Sequence, residues 1–226
     1  MGFFEALGAT CYIEDSSDEQ EDRYVRFITG RGSDGEAIRR LRQGIEELGP
    51  RLVDRAALYD GVVEAMTNVH QHAYPKGHRV RRWWVSASVN VARNRLRVMV
   101  VDHGAGITAT IRRKGLGEEV RGVFGSSDLF RELLEDDARL LEAAFADESS
   151  SRSQTGFAYR GKGLRQDIKG YVSENDSNGR LRVFSNHGKY VYQRDRNAGE
   201  SALGEYVERP FRGTFIEWTI EDYGDV

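Results

Sequence analysis

The chain has 226 residues, 39% of them hydrophobic and 31% charged, with 33 basic against 36 acidic side chains. That composition excludes a disordered polymer, and the near-neutral balance excludes a strong global pull toward nucleic acid or anionic membrane. A single cysteine, Cys11, excludes an internal disulfide framework and a C-x-x-C zinc site, so a reducing, cytoplasmic compartment is expected. The opening MGFFEALGATCYIEDSS lacks the basic start and long apolar core of a signal peptide, and no apolar stretch is long enough to span a bilayer.

Residues 1–35 read as an N-terminal arm. Its acidic, serine-containing part runs from Asp15 to Asp22, and alternation over Tyr24 to Ile28 marks a candidate edge strand. From Glu36 the period becomes helical, with Ile38, Leu41, Ile45 and Leu48 on one face, until Gly49-Pro50 stops it. A second helix is predicted from Leu52 to about Ala73. Period-two alternation then predicts strands over 80–91 and 95–101, with a turn at Ala92-Arg93-Asn94. Residues 107–160 hold helical stretches, notably Asp128 to Ala146, then a serine-rich loop. A short helix is predicted over 163–172. Strands follow at 180–185, 190–194 and 214–220, with a hairpin turn at Asn186-His187-Gly188-Lys189. Helices first and strands after favour an α+β two-layer sandwich. Its sheet is mixed but mostly antiparallel, with helices covering one face.

Four short motifs carry chemistry. In Glu64-Ala-Met-Thr-Asn68-Val-His-Gln-His72, the numbered residues lie at i, i+4 and i+8, on one helix face. An amide oxygen such as that of Asn68 is a hard ligand for Mg²⁺, which completes its shell with water and phosphate. A carboxylate such as Glu64 can take a proton from an attacking hydroxyl. His72 is either a third member of that face or a hydrogen-bonding residue of the fold. In Asp102-His-Gly104-Ala-Gly106-Ile107, a strand ends in a carboxylate that can accept from the exocyclic amine of adenine, and the glycines permit a tight turn. Arg160-Gly161-Lys162-Gly163-Leu164 opens a helix whose free amides suit phosphate, with Lys162 and Arg160 as further contacts. Gly213-Thr214 enters the last strand, and the threonine hydroxyl can assist the aspartate.

Other patterns read as decoys. Gly104-Ala-Gly106-Ile-Thr-Ala109 mimics a dinucleotide fingerprint, but its acidic residue precedes the glycines. Gly156 to Lys162 mimics a P-loop, but Gly163 stands where the magnesium hydroxyl belongs. His70 and His72 point apart on a helix, against a three-histidine zinc site. Arg79-Val-Arg81-Arg82-Trp83-Trp84 reads as an exposed strand with Arg on Trp rather than a nucleic-acid surface.

The ordered set E-x-x-x-N-x-x-x-H-A, D-x-G-x-G, G-x-G-L and G-T resembles the boxes of the gyrase, chaperone, histidine-kinase and MutL ATPase superfamily over about residues 36–220. The segment EAMTNVHQHAY is closest to the stand-alone anti-sigma-factor serine kinases. The resemblance implies a Bergerat fold, an ATP-binding domain over 36–226 and a lid over about 107–160. It implies ATP and Mg²⁺ as ligands. Glu64 would be the general base, Asn68 the metal ligand and Asp102 the adenine reader. Gly161 and Gly163 would be the phosphate hinge. The expected function is a slow ATPase or nucleotide-gated switch acting on a protein partner. The alternatives are a serine/threonine kinase and a non-catalytic interaction module. A homodimer is compatible with the sequence.

Overall fold

The computed structural model describes residues 22–32, 34–49, 55–75, 77, 81–115, 135–146, 163–173 and 178–221. Strand β1 (Asp22–Gly30) precedes helices α1 (Gly35–Leu48) and α2 (Arg55–Asn68). A π-helical turn, Val69–Ala73, extends α2. Strands β2 (Trp83–Asn90) and β3 (Arg95–Asp102) follow, then α3 (Ile107–Gly115) and α4 (Asp137–Phe145). A second π segment, Gly163–Lys169, runs into α5 (Gly170–Ser173). Strands β4 (Asn178–Asp195) and β5 (Gly199–Glu221) end the fold. The class is α+β. The order across the sheet is β1-β2-β3-β5-β4, and every described pairing is antiparallel, where a mixed sheet was expected.

Helix α1 forms where its stripe predicts. Asp34 caps it, accepting from Glu36 N and Ala37 N at 3.1 Å each, and Gly49 ends it at φ 96°. Such a cap contributes about 1 kcal/mol. Ala37, Leu41 and Ile45 are fully buried. The expected helix from Asp128 to Ala146 is interrupted at Asp136: Glu135 is helical, but Asp136 has extended backbone and caps α4 through Ala138 N at 2.8 Å, so α4 begins at Asp137. Residues 128–134 lie outside the described set.

The sheet's two faces differ in kind. Trp83, Val85, Ala87 and Val89 of β2 alternate into one face with Leu96, Val98 and Val100 of β3. Ile216, Trp218 and Ile220 of β5 and Leu181 and Val183 of β4 continue it. The helices pack on this face. Trp218 Nε1 donates to Ile168 O at 2.7 Å, Val172 lies against Gly179, and Val25 fits against Gly44. Leu140, Leu141 and Phe145 of α4 are also fully buried, so that helix belongs to the core. Among the described residues no helix is long and apolar enough to cross a membrane.

Strand β4 is not straight. Arg196 N donates to Asn178 Oδ1 at 2.9 Å, whereas an 18-residue straight strand would separate its ends by about 60 Å. The chain reverses at Asn186–Gly188, where the pairing register shifts and Asn186 takes φ 53°. The hairpin expected between strands at 180–185 and 190–194 is instead one bent strand, both halves of which pair with β5.

Candidate functional site

Glu64 and Asn68 lie one turn apart near the end of α2, both half-buried. Asn68 Nδ2 donates to Glu64 Oε1 at 3.0 Å. With the amide nitrogen turned to the carboxylate, the amide oxygen is left as an acceptor or metal ligand. Burial pushes the Glu64 carboxyl above its ordinary range. The hydrogen bond from Asn68 opposes that rise, and the Asp167 carboxylate adds to it. Asp167 comes from the segment after the expected lid, which packs on α2 closely enough that a Cβ on Gly61 would sit 2.8 Å from Asp167 O.

The α-helix ends at Asn68 and a π turn begins. His72 lies within that π turn. The His72 carbonyl accepts from Arg113 Nη2 at 3.0 Å and Thr110 Oγ1 at 3.4 Å. That carbonyl joins the end of the motif to α3.

Asp102 ends β3 on the helix-covered face, only 3% exposed. It sits in register with Thr214 of β5, whose hydroxyl bonds to it, and Gly104 N donates to its Oδ1 at 2.6 Å. Burial raises its carboxyl to about 6, against the pull of those two hydrogen bonds. A carboxylate kept ionised there at neutral pH has an unmet demand for hydrogen-bond donors.

The glycines have contact reasons. A Cβ on Gly104 would collide with Ala73 O, which already accepts from Ala105 N at 2.6 Å. Gly106 has φ +86°, and a Cβ there would lie 2.6 Å from Ser185 Oγ. Ile107 N donates to that same Ser185 Oγ at 2.7 Å as α3 begins. Asn186 Nδ2 donates to Thr108 Oγ1 at 2.8 Å and Ala105 O at 3.2 Å. Tyr74 OH donates to Arg82 O at 2.8 Å and accepts from His103 N at 3.2 Å. The Asp102 loop is thus held by the end of the first motif and by the β4 turn.

Sequence reasoning did not single out Ser185, Asn186 or Asp167. The Asn186 turn was legible, but nothing local tied it to Gly106. Gly161, Lys162 and Arg160 lie outside the described residues. Gly163 opens the π segment and Leu164 packs against the core. Among the described residues no group of three or more His, Cys, Asp or Glu converges as a metal site. The donor set at Asn68 is a single amide oxygen beside a carboxylate, which suits a hard cation that brings phosphate and water with it.

Two described cavities lie elsewhere, about 540 Å³ beside Arg194–Glu200 and about 110 Å³ among Asn178, Arg180, Thr219 and Glu221. The second is roughly 20 Å along β5 from Thr214. Comparison of the chain with protein-family models, curated proteins and solved structures finds no match.

Proposed function

We propose that the chain is a Bergerat-type ATP-binding protein that takes Mg-ATP and acts as a slow ATPase or nucleotide-gated switch on a protein partner. The observation that carries this reading is Asp102, a buried carboxylate at a strand end beside Thr214, with its loop bonded to the helix that bears Glu64 and Asn68. The amino group of adenine is a donor that this carboxylate can accept, whereas guanine presents a carbonyl there. Asn68 would hold Mg²⁺ through its amide oxygen, and the ion would neutralise charge on the bound phosphates. Glu64, with its raised proton affinity, suits a general base. The same base could deprotonate a serine or threonine hydroxyl, so phosphate transfer to a protein is the alternative outcome of one site.

Calorimetric titration with a non-hydrolysable ATP analogue, with and without Mg²⁺, tests the reading. Magnesium-dependent binding supports it. No binding at millimolar nucleotide refutes it and leaves a non-catalytic interaction module. If binding is found, transfer of label from γ-labelled ATP to a protein, rather than release as phosphate, would select the kinase.

A further inference from the structure

The sheet face opposite the helices is charged. Four arginines stand on it, flanking β5: Arg95 and Arg97 of β3 on one side, Arg180 and Arg182 of β4 on the other. Asp22 of β1 and Glu217 and Glu221 of β5 share the face. Asn90 Nδ2 donates to Asp22 Oδ1 at 2.7 Å, and Arg182 Nε donates to Glu217 Oε1 at 2.9 Å. Asp22 also lies 3.5 Å from Arg95 and 3.6 Å from Arg97, its side chain 1% exposed.

The charge on this face is incompletely matched. Arg95 Nε, Arg97 Nε and Arg180 Nε are buried without a hydrogen-bond partner. Burial lowers the Arg180 guanidinium's proton affinity, and Arg182 and Arg97 add to that, against the opposing pull of Glu217 and Glu221. Beside Arg180 is the cavity of about 110 Å³ that Asn178, Thr219 and Glu221 also line. The face therefore fits a segment that brings several carboxylates.

Such a segment precedes β1. Residues 14–22 contain Glu14, Asp15, Asp18, Glu19, Glu21 and Asp22, and no Lys or Arg occurs before Arg23. The last of these carboxylates, Asp22, already lies on the face against Arg95 and Arg97. At least 21 residues precede it. They could reach about 70 Å if extended, against roughly 20 Å for the width of five strands. The geometry points to an intramolecular clasp: the acidic residues 14–21 dock on the arginine face of the same chain, with Arg97 and Arg180 as the principal partners. The clasp does not depend on nucleotide binding.

The chain supplies its own probes. Its three methionines are Met1, Met66 and Met99. Met99 stands on the arginine face in register with Glu217, and Met66 is buried under the helices on the other side. A nitroxide on the single cysteine, Cys11, is read by methyl NMR of ¹³C-methionine-labelled full chain. The clasp requires the Met99 signal to broaden several-fold more than that of Met66. Replacing the arm's carboxylates (Asp15→Asn, Asp18→Asn, Glu19→Gln, Glu21→Gln) should restore Met99 while leaving the Met66 signal unchanged. Arg97→Glu with Arg180→Glu should restore it as well. Equal signals from Met99 and Met66 in the unmodified chain, or broadening that survives the arm substitutions, would overturn the proposal. So would broadening seen only when spin-labelled, unenriched chain is mixed with enriched, unlabelled chain, since that places the arm on a second copy.

Discussion

Asn68 donates its amide hydrogen to Glu64 at 3.0 Å, and this one bond fixes what each side chain has left to offer. The amide oxygen of Asn68 is left to accept or ligate. The carboxylate of Glu64 is held in place while burial and Asp167 raise its proton affinity. In Asn68→Ala the ligand is lost, and magnesium-dependent nucleotide binding should fall below detection in the same titration. Binding that remains equally magnesium-dependent would remove Asn68 from the metal.

For Glu64→Gln the expected outcome is retained nucleotide affinity with turnover reduced by about 100-fold or more, the usual weight of a general base. Steady-state phosphate release and calorimetry read the two separately. Turnover at the unmodified rate would mean that another group takes the proton.

The pH dependence should respond to Asp167. A general base works when ionised, so the rate falls as pH drops through its pKa, and for Glu64 that fall begins above the ordinary glutamate range. Asp167→Asn removes a neighbouring negative charge and should move the acid limb of the pH–rate profile to lower pH. An unmoved limb would show that the two carboxylates do not interact.

Asp102 should trade stability for recognition. Its folded carboxyl titrates near 6 against an ordinary 3.8, so between those values the folded state binds more protons than the unfolded one. Stability then falls as pH rises from about 4 through 6, by about 3 kcal/mol in total. Asp102→Asn carries no such charge. In urea denaturation without nucleotide, the variant should gain on the parent as pH rises from 4 to 7. Discrimination of ATP over GTP should weaken at the same time. A stability difference independent of pH would contradict the buried, ionised state.

Gly104→Ala should destabilise the fold by about 1–3 kcal/mol, because the new methyl meets the Ala73 carbonyl and not a side chain that can move aside. Thermal unfolding measures it. A melting temperature unchanged from the parent would mean that the Asp102 loop can separate from the end of the π turn.

Much of this architecture is legible in the chain itself. Leu41 and Ile45 repeat at helical spacing because one face of α1 meets a core, and Gly49-Pro50 ends the helix in sequence. Trp83 to Asp102 alternates because β2 and β3 have unlike faces. Glu64, Asn68 and Asp102 stand out because their residue types and spacing imply chemistry. Residues 199–213 escaped notice because that half of β5 is largely exposed and carries no apolar alternation. Only the tertiary structure could join Ser185 and Asn186 to the Gly106 turn, bring Asp167 toward Glu64, or set Arg97 beside Arg180. Those contacts cross about 80 residues or more in most cases, and strand register and helix docking, which no local pattern encodes, decide them.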